Sequence, residues 1–226
     1  MYQSKIDIIV QSKYPEILKE FLGGFKPTTE KFTNLTLHIL DGAEFGAKAI
    51  NKILIDVFQK TDFFGVFNDD LWFVDGWLED CLRLLETHEC VSAGYVNTYS
   101  HEAFEKAVEA TKNETGVAKH LFGVNPIFRT SVFKKIGIYD ERFDFSCDDL
   151  DWAWRFKLNG MSSVTSKKIT MAHNIGRTRI KDAKAWNILS DRNKQRFYDK
   201  HGYVAYREIR REYKDNHQYF VQFKDV

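Results

Sequence analysis

The chain has 226 residues, 43% hydrophobic and 29% charged, with three prolines and a net charge of +1. That composition suits one domain with a sizeable core and excludes a disordered chain. No apolar run approaches the ~20 residues that span a bilayer, and the first apolar stretch, five residues long, is too short for a signal peptide.

In chain order, residues 5–10 (KIDIIV) are short and β-branched and predict a strand. Pro15 then opens a helix that Gly23-Gly24 should close, with Ile17, Leu18, Phe21 and Leu22 on its apolar side. Residues 35–40 (LTLHIL) predict a second strand ending at Asp41-Gly42. Ala47, Ile50, Leu54, Val57 and Phe58 have helical spacing after Gly46. Residues 63–67 (FFGVF) form a continuous apolar run, as a buried parallel strand would. A helix from about Asp75 puts Trp77, Leu78, Cys81, Leu82 and Leu85 on one side, and residues 91–96 (VSAGYV) predict a fourth strand. A polar helix is predicted at 101–112, and closing helices at 182–200 and 203–214.

Strand and helix alternate through about residue 96, which predicts an α/β domain with a mostly parallel sheet flanked by helices. Ligands of such sheets collect beyond the carboxyl ends of the strands. The division expected is a single domain over 1–226, with a nucleotide-binding half at about 1–96, an acceptor-side half at about 97–180 and C-terminal helices at 181–226. Cys81, Cys90 and Cys147 are odd in number and lack metal-ligand spacing. They point to a soluble protein of a reducing compartment, the cytoplasm, or the host cytoplasm if the source is a virus.

Three stretches carry chemistry. The strand FFGVF runs into Asn68-Asp69-Asp70, and aromatics resume at once. Acids trapped between apolar segments need compensation, either as a plain turn or by a divalent cation. In FSCDDLDWAWRFKLNG, residues 145–160, Asp148, Asp149 and Asp151 cluster at the start of a helix whose apolar stripe is Leu150, Ala153, Trp154 and Leu158. Acids there offset the helix dipole, and Ser146-x-x-Asp149 has the form of a capping box. Capping needs one or two of these groups, so a surplus carboxylate could accept a proton from an attacking hydroxyl. In MAHNIGRTR, residues 171–179, His173 is followed by Arg177 and Arg179, which can pair with phosphate oxygens. Charge is uneven: residues 1–166 carry net −7 and residues 167–214 net +9. The basic section is either a set of solvated helix faces or an attractor of phosphate or an anionic acceptor.

In this order, the three stretches resemble family 2 glycosyltransferases of the GT-A fold, over roughly residues 5–205, with rhamnosyltransferase-like members among the counterparts. LHILDGAE is similar to that family's second strand, which implies that Asp41 reads the nucleoside. GAKAINKIL resembles the following helix, with Asn51 matching a recurring Asn. VFNDDLWFVDGWLEDCLRLL resembles the strand, DxD-type motif and helix, with Asp70 as the metal-binding acid and Asn68 standing where Asp is usual. IFRTSVFKKIGIYDERFDFSCDDLDWAWRFKLNG is similar to the acceptor-side segment. Asp148 stands for its usual Glu, Asp149 for its catalytic base, Asp151 for its second acid and Arg155 for its Arg. His173 and RFYDKHG also have counterparts. Gln11 replaces the usual proline after the first strand.

The resemblance implies a metal-dependent, inverting hexosyl transfer from a nucleotide-diphosphate sugar, UDP favoured, to a hydroxyl of a glycan or glycoconjugate. Asp149 would be the base, supported by Asp148, Asp151 and Arg155. Gln11, Ser12, Tyr14, Asp41, Asn51, Asn68 and Asp69 would contact the nucleotide. Asp70 and His173 would hold Mn2+ or Mg2+, and Arg177 and Arg179 the diphosphate. No nucleic-acid partner and no transmembrane segment is expected. The alternatives are a non-catalytic sugar-nucleotide or glycan-binding module, and a sugar-1-phosphate nucleotidyltransferase. The second would want a glycine-rich loop after the first strand, where QSKYPE has no glycine.

Overall fold

The computed structural model describes residues 3–41, 46–119, 124–143, 146–174 and 183–221. Its strands are β1 (Ile6–Ser12), β2 (Leu35–Asp41), β3 (Phe63–Asn68), β4 (Leu71–Phe73), β5 (Cys90–Asn97), β6 (Val117–Lys119), β7 (Pro126–Arg129) and β8 (Ser163–His173). Its helices are α1 (Pro15–Thr29), α2 (Ala47–Val57), α3 (Trp77–Leu84), α4 (His101–Thr111), α5 (Ser131–Ile136), α6 (Asp148–Leu158), α7 (Ala183–His201) and α8 (Tyr203–Val221).

The strands form one sheet in the order β2-β1-β3-β7-β5-β8-β4, with β6 also on β8. β1 lies parallel to β2 and β3, and β5 parallel to β8. β7 is inserted antiparallel between β3 and β5. Five strands therefore point one way, and β4, β6 and β7 the other. The sheet is mostly parallel and flanked by helices, as the alternation predicted. The short strands β4, β6 and β7 were not predicted, because three or four residues carry no usable period.

Side chains alternate between the faces of β1 and β3. Ile6, Ile8, Val10, Phe63 and Phe67 meet Phe21 and Phe25 of α1 and Trp77, Leu78 and Cys81 of α3. Ile9 and Phe64 meet α2, α5, α6, α7 and α8 through Ile50, Leu54, Phe133, Trp152, Phe197 and Ile209. A smaller cluster seats Phe104 and Ala107 of α4 on Trp72, Val96, Ile169 and Ala172. All three cysteines are buried free thiols. No helix among the described residues is long and apolar enough to cross a membrane.

Two local expectations are corrected. Helix α1 does not end at Gly23-Gly24 but runs to Thr29 through Pro27. Gly24 serves packing instead: a Cβ there would stand 3.3 Å from the Phe73 ring. The hydroxyls of Thr28 and Thr29 donate to Gly24 O and Phe25 O at 3.0 and 2.8 Å and occupy carbonyls of the last turn. In α6 the buried side is Leu150, Asp151, Trp152, Ala153 and Phe156, whereas Leu158 is 65% exposed. The stripe is rotated because α6 is covered by α7 and α8 as well as by the sheet, so its acids and aromatics share the interior. At Gly94 the β5–β8 register slips, and a Cβ would lie 2.0 Å from Lys168 O. Only glycine lets the strands approach this closely.

Candidate active site

The five parallel strands end in polar residues. β1 ends at Ser12, β2 at Asp41, β3 at Asn68, β5 at Asn97 and β8 at His173. Ser12, Asn68 and Asn97 follow largely buried apolar runs, so burial itself carries these polar side chains to one edge of the sheet. Register makes neighbours of them: Ser12 lies opposite Asp41, Gln11 opposite Asn68, and Asn97 opposite His173. Of Asp41 only the backbone is described.

Asp69 and Asp70 form the link from β3 to β4 and are 6% and 7% exposed. They are buried because β4 returns against β8, with Leu71 opposite His173, and because Asn174 N–H donates to Asp70 O at 2.8 Å. Their carboxylates part company. Ser12 Oγ donates to Asp69 Oδ2 at 2.6 Å. Asp70 Oδ1 lies 3.2 Å from His173 Nε2.

His173 is held at both ring nitrogens. Asn97 Oδ1 lies 3.0 Å from Nδ1. Asn68 Nδ2 and Asp70 Oδ1 both lie 3.2 Å from Nε2, so an amide and a carboxylate meet the same ring nitrogen. Asp70 and His173 thus bring a carboxylate oxygen and an imidazole nitrogen together. Among the described residues no group of three or more His, Cys, Asp or Glu side chains could hold a metal. Two protein donors still fit an ion of the manganese or magnesium kind, which takes its other ligands from water and substrate phosphates.

The second acidic station is the start of α6. Helix α6 ends at Leu158, and β8 begins at Ser163, opposite Cys90 at the amino end of the parallel strands. The helix therefore runs back over its 11 residues, about 16 Å, and carries Asp148 and Asp149 toward the carboxyl edge. Cys147 before it has φ 63°, the one left-handed non-glycine among the described residues. Such strain is held only where the surroundings over-determine it. The capping box is corrected: the N-cap is Cys147, and no side chain caps it. Asp149 Oδ1 instead accepts the Leu150 N–H at 2.8 Å.

The three acids of this motif differ. Asp151 is 0% exposed, with Arg155 Nε at 2.9 Å, Lys200 Nζ at 2.5 Å and His201 Nε2 at 2.7 Å. Arg155 also donates to Ile136 O at 2.5 Å. Both residues are thus committed to joining α6, α7 and the end of α5. Asp148 and Asp149 are half-buried, and among the described residues neither has a cation in contact. Burial pushes both carboxyls above their ordinary range, and for Asp148 the charge of Asp149 adds to it. The Arg210 charge on α8 opposes the rise at Asp149.

Not every predicted residue reaches the strand ends. Asn51 is fully buried in α2. Its Nδ2 donates to Tyr139 O at 2.8 Å, and its Oδ1 accepts the Tyr139 N–H at 3.0 Å. The amide is spent on fixing the segment before α6. Gln11 Oε1 accepts the Gly46 N–H at 2.8 Å, anchoring the start of α2. Tyr14 is the N-cap residue of α1. Arg177 and Arg179 lie outside the described residues. Asn97 was missed in the sequence. The signal was there, a polar residue directly after an apolar strand, as at Ser12 and Asn68.

No protein-family model matches the sequence, and no curated protein matches it. Among solved structures, one described as "Crystal structure of GalNAc-T7 with UDP, GalNAc and Mn2+" superposes with a TM-score of 0.48 at 9% identity. The match covers 75% of this chain and 43% of that one, so the chain spans less than half of the neighbour's length. A likeness this distant decides neither family nor activity.

Proposed function

We propose that this protein is a glycosyltransferase of GT-A type that moves a sugar from a nucleotide-diphosphate sugar, UDP favoured, to a hydroxyl of a glycan or glycoconjugate, with inversion. The observation that carries the reading is a pair of chemically distinct acidic stations toward one edge of the sheet. Asp70 stands 3.2 Å from His173 Nε2, a carboxylate oxygen and an imidazole nitrogen that would share a cation. Asp149 has its carboxyl raised by burial and is suited to taking a proton. A binding module would have no use for the second station.

Asp70 and His173 would hold Mn2+ or Mg2+, and Ser12 keeps Asp69 turned beside them. Bound there, the ion would supply Lewis-acid stabilisation of the departing diphosphate. Arg177 and Arg179 are assigned to the same diphosphate on charge alone. Gln11, Tyr14 and Asp41 remain the candidates for the nucleoside, within a nucleotide-binding half at about 1–96. Asp149 deprotonates the acceptor hydroxyl. Its Oδ1 is occupied by Leu150 N–H, so Oδ2 is the atom that receives the proton. Attack from the face opposite the diphosphate inverts the anomeric centre through an oxocarbenium-like transition state. Buried free thiols suit the cytoplasmic setting assigned to it.

The test is release of free nucleoside diphosphate from a panel of sugar nucleotides with manganese present. Slow donor hydrolysis that accelerates with glycan acceptors is the expected result. Donor binding without turnover under every acceptor would make it a binding module. Pyrophosphate release from a nucleoside triphosphate and a sugar 1-phosphate would make it a nucleotidyltransferase.

A further inference from the structure

We propose that the acceptor is an acidic glycan, one whose sugar carries a carboxylate or a phosphate ester, and that Lys194, Arg207 and Arg210 beside the tyrosines of α7 and α8 select it. The inference rests on the transferase function proposed above, with Asp149 as its base.

Helical register lays down this strip. Ala205 and Ile209 of α8 are buried in the cluster that holds Cys147, Leu150 and Ala153. At ~100° per residue, Tyr203, Tyr206, Arg207 and Arg210 then share one flank of α8, and Glu208 and Glu212 the other. The acidic flank is answered within the fold. Lys157 of α6 meets Glu208 and Glu212, and Lys119 of β6 meets Glu212 at 2.8 Å. The basic and aromatic flank turns to α7. Tyr198 meets Tyr206 and Tyr203 edge to face, at ring-centroid distances of 5.0 and 5.4 Å. Lys194 stands one turn before Tyr198 on α7, and Arg210 one turn after Tyr206 on α8. Arg207 lies over the Tyr203 ring, 5.9 Å from its centroid.

The strip adjoins the base. Tyr198 and Tyr206 pack on the cluster that contains Cys147 and Leu150, the two residues that bracket Asp148 and Asp149 in the chain. The charge of Arg210 reaches the Asp149 carboxyl, and that of Lys194 reaches the Cys147 thiol. Lys200 on α7 is committed to Asp140 and Asp151. Lys194 is not bound so firmly: its pair with Asp191, at 3.2 Å, is open to water, and Asp191 is 78% exposed. Such a pair is worth little and yields to another anion. An acceptor hydroxyl at Asp149 therefore has half-buried rings and cations on its α7–α8 side. Rings of this kind take the apolar face of a sugar, and guanidinium and ammonium groups take its carboxylate or phosphate. A neutral glycan would use the rings and leave the cations idle. The anion belongs at the strip and not beside the attacking hydroxyl, where Asp148 and Asp149 would repel it.

The experiment reads binding, not turnover. The full chain, with UDP and magnesium present, is titrated with tetragalacturonate, its neutral methyl ester, maltotetraose and a phosphate ester of maltotetraose, each followed by saturation-transfer NMR. The acidic forms should bind about tenfold tighter than their neutral counterparts. The difference should shrink as salt rises from about 50 to about 500 mM. The two acidic arms decide between carboxylate and phosphate. Lys194→Gln combined with Arg210→Gln should abolish the preference, while affinities for UDP and for the neutral probes stay within about threefold. Lys194→Arg combined with Arg210→Lys keeps both charges and should keep the preference, which separates lost charge from lost folding. Equal binding of acidic and neutral probes by wild type, or binding of neither, overturns the inference. So does a preference that survives the loss of both charges. None of these results touches donor hydrolysis, which tests the transferase reading by itself. An acidic preference without any donor hydrolysis would remove the transferase reading and keep the acidic-glycan site.

Discussion

Replacing Asp151 and Asp149 by Asn, one at a time, should separate a structural acid from a chemical one. Asp151 is 0% exposed and meets two cationic side chains, Arg155 and Lys200, and the His201 imidazole. Removing one partner from a buried ion pair costs about 3–5 kcal/mol. Here Arg155, Lys200 and His201 retain 17%, 23% and 11% side-chain exposure and can turn to water. The lower end, about 3 kcal/mol, is therefore the expected loss for Asp151→Asn. For a chain of this size that lowers Tm by about 6–12 °C. Asp149→Asn keeps the oxygen that accepts Leu150 N–H at 2.8 Å. Its stability should not fall by more than about 0.5 kcal/mol, while kcat falls about 10²–10⁴-fold. Thermal unfolding and manganese-dependent nucleoside diphosphate release on the two variants read both quantities. The reasoning is refuted if Asp149→Asn retains kcat within tenfold of wild type. It is equally refuted if Asp151→Asn keeps its Tm and loses turnover, since Asp151 would then be the base.

Asp70→Ala should weaken metal-dependent sugar-nucleotide binding at least tenfold, or about 1.4 kcal/mol; calorimetry with and without manganese checks it, and equal affinities throughout would remove the metal from the reading. Asp148 is raised from 3.8 to about 7, so the folded protein binds more protons than the unfolded chain across that window, and stability falls as pH rises through it. Asp148→Asn should therefore raise Tm at pH 8, by an amount corresponding to about 1–2 kcal/mol, and leave it unchanged below pH ~4. Asn51→Leu leaves the Tyr139 N–H and C=O without their buried partner and should cost about 2–4 kcal/mol with donor affinity unchanged. A tenfold loss of donor affinity at full stability would instead return Asn51 to the nucleotide site.

The layered α/β fold was legible because its strands are continuous apolar runs and its first helices keep a clean apolar side. FFGVF, VSAGYV and the stripe of Trp77, Leu78 and Cys81 could hardly be anything else. The inserted strand β7 was not legible, because PIFR owes its state to β3 and β5 on either side. Nor was the inward turn of Asp151, whose partners Lys200 and His201 lie about fifty residues along the chain. Sequence could place polar residues at strand ends but could not say which atoms of which pairs would meet.

That difference underlies the roles proposed above for three carboxylates the sequence presents as equals. Asp151 meets cations supplied by its own chain, so its charge is already answered and it has nothing left for a substrate. Asp70 meets an imidazole nitrogen 3.2 Å away, and in the function proposed above the two share a metal ion. Asp149 meets mainly burial, with Arg210 as a partial offset, so its charge is answered best by a proton. An acid whose neutralising partner is a proton can act as a base near neutral pH, and one whose partner is a metal ion can hold a diphosphate. The roles follow from what each carboxylate lacks, which is a property of the folded neighbourhood and not of the residue.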